Sequence, residues 1–103
     1  DELEAWLAAN PLSAITDRTV TDGPALRREL LASRERGYYV TRGENVVDVM
    51  AISAPLRLGS LTLGIAVAGP LHRMEAAEAR IAAALRACVQ GIANQDAEAL
   101  HVA

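Results

Sequence analysis

The polar side chains that could carry out chemistry in this chain are few and scattered. Glu44 and Asp48 flank one turn and have the residue types of a general acid and base, but no nucleophile or oxyanion donor can be placed beside them. Ser53 lies inside an extended segment and lacks the Gly-x-Ser-x-Gly spacing of a nucleophile elbow. Residues 59–64 lack the spacing and the following helix that a phosphate loop requires. The sequence therefore predicts that the chain is not an enzyme.

Metal-binding residue types are equally sparse. His72 and His101 have no acidic or thiol partner at ligand spacing, so neither a metal site nor a cofactor is predicted. Cys88 is the single cysteine, which excludes an internal disulfide. Its helical spacing from Ile81 and Leu85 predicts a buried, unreactive thiol.

Two helices are predicted to precede an extended region. Leu3, Trp6 and Leu7 share one face of a short helix that ends before Pro11, with Trp6 as a core anchor. A second helix is predicted from Asp22, whose side chain can cap it, to a stop at Gly37. Most of the surface of this second helix is charged, apart from a narrow apolar stripe. This pattern favours a solvated surface helix over an anion-binding patch.

Three strands and a long helix follow. The strands are predicted at 38–41, 46–55 and 61–68, with a turn at Gly43 and a hairpin turn at Gly59 and Ser60 between them. Apolar residues at helical spacing predict a helix over 73–94, and residues 95–103 are expected to form a frayed tail. This order of elements indicates an α+β fold, with helices packed against an antiparallel sheet.

Composition limits the class of protein. The 103 residues suffice for one domain, and the formal net charge of −3 argues against nucleic-acid binding by this segment itself. The apolar run at 58–70 is shorter than the roughly 20 residues of a membrane helix. We therefore expect a cytoplasmic protein with no membrane partner. The absence of an initiator methionine suggests a fragment of a longer polypeptide.

Side chains of the last predicted strand alternate in size. Bulky residues project to one face and small residues to the other: Leu61, Leu63, Ile65 and Val67 against Thr62, Gly64, Ala66 and Ala68. A face so bare of side chains has two explanations. Either a helix lies close on it, which is the commoner case, or a ligand occupies the space.

Several short motifs occur in a characteristic order. They are Arg34, Arg36, Gly37 and Tyr38, then Glu44, then Ile52 to Pro55, and then Gly69, Pro70, Arg73 and Met74. In order and spacing, from about Leu3 to Asn94, the chain resembles the effector-binding domain of the IclR family of bacterial transcription regulators.

The resemblance implies the remaining architecture. In that family the domain is a larger GAF-like α+β unit, so residues 1–94 correspond to its C-terminal portion and residues 95–103 to a tail. DNA binding is implied only through an N-terminal winged helix-turn-helix domain that is absent from this chain. The implied partners are a small-molecule effector and further copies of the chain, in a homodimer or homotetramer.

The resemblance also assigns a ligand site. Pocket contacts carried over by position fall at Thr41, Ala51, Ala66 and Ala68, and Ser53 lies on the same strand face as Ala51. Family members that bind small keto acids have Asp, Cys, Ser and Ser at the first four positions. Their replacement here removes hydrogen-bonding capacity, which predicts an organic acid that is bulkier and less polar. The alternative is a free-standing GAF-like sensory or dimerisation module without a ligand.

Overall fold

Four helices and a three-stranded antiparallel sheet make up the part of the chain that the structure describes. The computed structural model covers the backbone of residues 1–102 and the side chains of residues 1–97. In chain order the elements are α1 (Glu2–Ala9), α2 (Gly23–Arg36), β1 (Tyr39–Arg42), β2 (Val49–Leu58), β3 (Leu61–Pro70), α3 (Leu71–Ala76) and α4 (Glu78–Val102). The predicted α+β class is confirmed.

The central strand of the sheet is β2, with β1 and β3 antiparallel on either side of it. A two-residue turn joins β2 to β3, because Leu58 pairs directly with Leu61. Gly59 occupies the first position of this turn with φ 59°, a left-handed conformation that glycine adopts without steric cost. The hairpin predicted at Gly59 and Ser60 is thus confirmed.

Both ends of α2 lie where the sequence predicts them. The Ala25 amide donates to Asp22 Oδ2 at 3.1 Å, which caps the first turn. At the other end Gly37 has φ 94°, and its amide donates to the Ser33 carbonyl at 2.8 Å. A Cβ at Gly37 would lie 2.9 Å from the guanidinium carbon of Arg86, so glycine also leaves room for the end of this side chain.

The hydrophobic core lies between one face of the sheet and the helices α3 and α4. Alternate residues of β2 supply half of its buried apolar side chains, and the whole set is Val40, Met50, Ile52, Ala54, Leu56, Met74, Ala82 and Leu85. Small and aliphatic side chains fill this core at close range, since only 3% of the residues are aromatic. The predicted packing of helices on the sheet is confirmed.

Several predicted element boundaries were wrong, and β2 and β3 end at Leu58 and Pro70 rather than at residues 55 and 68. The strand predicted from residue 46 begins at Val49, because Asp48 has φ 64° and the Val49 amide closes a turn onto the Val46 carbonyl. The helix predicted over 73–94 is two helices separated at Ala77. Instead of fraying after residue 94, α4 continues to Val102. The division of the chain into 1–94 and 95–103 stays a prediction.

Two predicted core residues lie at the surface. Trp6 is 53% exposed, and α1 buries none of its residues, so Trp6 is not the expected core anchor. Cys88 is exposed as well. The buried stripe of α4 passes through Leu85 and Val89, and one residue corresponds to about 100° around a helix. Cys88 lies about 100° from Val89 around the helix, outside the buried stripe.

Candidate ligand-binding face

The five predicted ligand-binding residues lie together on one face of the sheet. We call this surface, made of Thr41, Ala51, Ser53, Ala66 and Ala68, the small-residue face. It is opposite the core, because residues that alternate along a strand point to opposite faces and the neighbouring residues Val40, Met50 and Ile52 are buried. Two strand pairings determine which of the five are neighbours.

Cross-strand pairing arranges these residues in two rows. Ala51 pairs with Thr41 on one side and Ala68 on the other, which gives a row across all three strands. Ser53 pairs with Ala66 in the adjacent row. Directly paired side chains in an antiparallel sheet lie about 5 Å apart. The sequence-predicted set is therefore contiguous.

Little of the described chain covers the small-residue face. Ala66 and Ala68 are exposed, as is Thr41, whereas Ala51 and Ser53 are half-buried. The long helix α4 instead packs on the bulky side of the sheet, where Ile65 adjoins the core. Of the two explanations for a bare face, close helix packing does not apply within this part of the chain.

A shallow cavity adjoins this face at the β1 edge. It has a volume of about 200 Å³ and is lined by Leu3, Leu30, Leu31, Arg34 and Tyr39. Tyr39 pairs with Ser53, so its ring extends the second row toward the first two helices. The residues of α1 and α2 that line this cavity lie beside the small-residue face.

The chemistry available on the small-residue face is mainly apolar contact. Alanine side chains offer neither a donor nor an acceptor, so the hydroxyl groups of Thr41 and Ser53 are the polar side-chain groups of the set. Both hydroxyls can donate and accept. Such a surface can bind a flat, mainly apolar ligand that has few polar atoms.

The turn between β1 and β2 has a structural role. The carboxylate of Glu44 accepts a hydrogen bond from the Arg42 amide at 3.0 Å, and the carbonyl of Asp48 accepts one from the Leu71 amide at 2.8 Å. Thr16 and Thr19 donate to the carbonyls of Gly43 and Glu44. These hydrogen bonds hold the turn that contains Glu44 and Asp48, the two residues considered above as a general acid and base.

The described residues form neither a metal cluster nor a membrane-spanning helix. No group of three or more His, Cys, Asp or Glu side chains is arranged to hold a metal ion. His72 lies in α3, and His101 falls outside the described side chains. No helix in the described part of the chain is both long and apolar enough to cross a membrane.

A polar cluster joins β1 to the start of α4 on the core side of the sheet. The Tyr38 hydroxyl donates to Glu78 Oε2 at 2.8 Å, and the guanidinium of Arg42 donates to Glu78 Oε1. We call these three residues the Glu78 clamp. The hydrogen bond to Glu78 raises the pKa of the Tyr38 phenol above its ordinary value of 10.0, and partial burial acts in the same direction.

Arg36 supports the clamp from α2. Its guanidinium carbon lies 4.5 Å from the centre of the Tyr38 ring, a cation–π arrangement. The same guanidinium donates to the Tyr38 carbonyl and to Ser33 Oγ, each at 3.2 Å. Sequence reasoning did not find the clamp, because its partners are about 40 residues apart and carry no local spacing signal.

Comparison with known proteins identifies sequence relatives over most of the chain. Residues 1–94 match the family described as bacterial transcriptional regulator IclR C-terminal. The HTH-type transcriptional regulator BhcR of Paracoccus denitrificans is 34% identical over 91 residues, which are 86% of this chain and 32% of that protein. The chain thus spans about a third of the length of this curated relative.

Solved structures have the same fold. The IclR protein of Thermotoga maritima superimposes with a TM-score of 0.82 at 26% identity, over 91% of this chain and 39% of that one. An IclR homolog of Microbacterium hydrocarbonoxydans, solved in complex with 4-hydroxybenzoate, gives a TM-score of 0.80 at 27% identity. That match covers 96% of this chain and 40% of the other. The sequence matches and the shared fold agree on one family.

Proposed function

This chain belongs to the IclR family of bacterial transcriptional regulators, and from that membership we propose that it forms the C-terminal part of an effector-binding domain. In this proposal residues 1–94 belong to the domain, and the small-residue face supplies one wall of the effector pocket. DNA is bound through a separate N-terminal domain. The net charge of −3 makes binding of this segment to the negatively charged DNA backbone unfavourable. The effector shifts a homodimer or homotetramer between two arrangements by binding one of them more tightly.

The effector we propose is an organic acid that is bulkier and less polar than glyoxylate or pyruvate. The supporting observation is the row of Thr41, Ala51 and Ala68, which has one side-chain hydroxyl and two methyl groups. A small keto acid has almost no apolar surface and would leave its oxygen atoms without partners here, which costs binding free energy. The 4-hydroxybenzoate bound to the Microbacterium homolog is an acid of the proposed kind.

A thermal-stability screen followed by calorimetry tests this proposal. The panel contains 4-hydroxybenzoate, benzoate, pyruvate and glyoxylate, added to the intact protein. A ligand that binds only the folded state stabilises it by about 2.7 kcal/mol at a concentration 100 times its Kd. We expect stabilisation by an aromatic acid and none by glyoxylate. Tight binding of glyoxylate or pyruvate with no response to the larger acids would refute the proposed effector class.

A matched pair of substitutions locates the site. Ala68→Leu places a larger side chain on the small-residue face, and we expect it to weaken binding of the aromatic acid by tenfold or more, roughly the effect of one lost buried contact. Ala83→Leu is the control, because Ala83 is exposed on α4 on the other side of the sheet. If the wild type and Ala68→Leu bound the aromatic acid with equal affinity, Ala68 would not line the effector pocket.

A second candidate function is oligomerisation without a ligand. The observation in its favour is the exposed apolar side of β3, where Leu61, Leu63 and Val67 are 60%, 45% and 39% exposed. Contiguous exposed apolar surface of this kind is typical of protein interfaces. If no acid of a broad metabolite panel raises the thermal stability, the dimerisation module becomes the better description.

A further inference from the structure

The Glu78 clamp joins both ends of one strand to one carboxylate. Tyr38 immediately precedes β1 and Arg42 is its last residue, so a four-residue edge strand is held at both ends by Glu78. The Glu78 side chain is 24% exposed, the smallest exposed fraction among the ion-paired carboxylates of the described residues. This strand is short and pairs only with β2, so side-chain contacts contribute much of what holds it in place.

The carboxylate of the clamp lies where two helices meet. Glu78 is the first residue of α4, and Ala77 separates that helix from α3. Arg42 also approaches Glu75 of α3, with 3.9 Å between its Nε and Glu75 Oε1. A carboxylate at a helix N-terminus is further stabilised by the helix dipole. One arginine from β1 thus contacts both sides of the junction between α3 and α4.

The other edge strand reaches the same junction through the backbone. β3 ends at Pro70 and α3 begins at Leu71, with no intervening loop. The row of Thr41, Ala51 and Ala68 therefore has one end on β1, which the clamp attaches to the junction, and the other end on β3, which continues into it. A ligand seated across this row contacts both edge strands at once.

We propose that Glu78 is a positioning residue that couples occupancy of the small-residue face to the placement of α4. The inference rests on the proposed function, because it requires a ligand on that face. Because β2 pairs with both edge strands, a ligand that draws β1 and β3 toward it bends the sheet, and the junction must then follow or the clamp must break. Arg36 of α2 also stacks on Tyr38, and Glu75 of α3 lies near Arg42, so the clamp has further support and we expect the junction to move and α4 to move with it.

The natural cysteine provides the reporter. Cys88 is the single cysteine of the sequence and is exposed on α4, so a spin label attached there follows this helix in the intact protein. The labelled protein is titrated with the acid of the four-member panel that binds most tightly, and the electron paramagnetic resonance spectrum is recorded with and without it. We expect ligand binding to change the spectrum of the wild type.

Glu78→Gln tests the coupling. Glutamine retains an oxygen for Tyr38 but loses the charge that holds Arg42, so we expect the ligand-induced spectral change to vanish and Kd to rise about fivefold, the lower end of common coupling strengths. Tyr38→Phe removes one arm only and should reduce the spectral change in part. Glu4→Gln is the matched control, because it removes the 2.6 Å ion pair between Glu4 of α1 and Arg27 of α2, which involves no residue of the clamp.

The possible results separate the two proposals. A lost spectral response in Glu78→Gln, with binding retained and Glu4→Gln unchanged, supports the coupling. A full spectral response in Glu78→Gln overturns it and leaves the ligand site intact. If the wild type binds no acid of the panel, the proposed effector class fails, and the coupling fails with it.

Discussion

The two long strands of the sheet have the same length and nearly the same alternation but very different burial. In β2 every second residue from Met50 to Leu56 is buried, with exposures of 0% to 4%. In β3 no residue is buried, although its bulky side chains pair directly with those of β2. Leu56 and Leu63, for example, are cross-strand partners that are 4% and 45% exposed.

This contrast shows that the alternation of side chains along a strand determines which residues share a face of the sheet. It does not determine whether another element packs on that face. The core side of β2 is covered because it is the central strand and α3 and α4 lie across it. These helices cover the same side of β3 less completely, so Leu61, Leu63 and Val67 stay exposed while Ile65 adjoins the core. An edge strand with an exposed apolar face is unusual in a stable monomer. We therefore expect β3 to be covered in the working protein.

Truncating the two leucine partners gives the largest expected effect. We expect Leu56→Ala to lower the free energy of unfolding by about 3 kcal/mol, because it removes buried methyl groups and leaves a cavity. Leu63→Ala makes the same chemical change at a half-exposed position and should cost about 1 kcal/mol in the monomer. Urea unfolding at low protein concentration measures both values. Equal losses would show that β3 is as well packed as β2.

Sequence reasoning predicted the fold well where local signals were strong. The cap at Asp22, the stop at Gly37 and the turn at Gly59 have backbone requirements that few other residues satisfy, and all three were found. Alternation separates Met50 and Ile52 from Ala51 and Ser53, and the structure shows that Met50 and Ile52 are on the core side. Cys88 was assigned wrongly because alanine-rich helices have apolar residues on more than one face, and spacing alone does not choose between them.

The candidate site was predictable only in part. Thr41, Ala51 and Ala68 were grouped through the family resemblance, and strand pairing shows that they adjoin. The Glu78 clamp was missed, because a contact between residues 42 and 78 depends on how the strand and the helix pack together. Long polar side chains such as arginine also reach many positions, so their partners are set by the tertiary fold.

A charge on the apolar side of β3 tests whether this strand is an interface. We expect Leu61→Glu to weaken self-association about tenfold or more, since a buried carboxylate opposes apolar contact. Thr62→Glu introduces the same charge one residue later on the opposite face, so it should leave association nearly unchanged. Sedimentation velocity over a concentration series measures both. A wild type that stays monomeric at high concentration, or equal effects of the two variants, would contradict the interface.

The smallest expected effect concerns the other edge strand, β1, where the Glu78 clamp adds polar contacts to the apolar packing of Val40. The hydrogen bond to Glu78 raises the pKa of Tyr38 in the folded state, so its stabilising contribution is complete below the ordinary pKa of 10.0 and is lost as pH rises through the higher folded-state value. Tyr38→Phe should therefore cost up to about 1 kcal/mol near pH 8 and progressively less above pH 10. Urea unfolding across this range measures the difference, and Tyr39→Phe controls for the loss of a phenol elsewhere on the strand. A loss of unfolding free energy in Tyr38→Phe that does not change with pH would mean that packing, and not the phenol proton, stabilises this edge. Both edge strands of the sheet would then depend on apolar contacts.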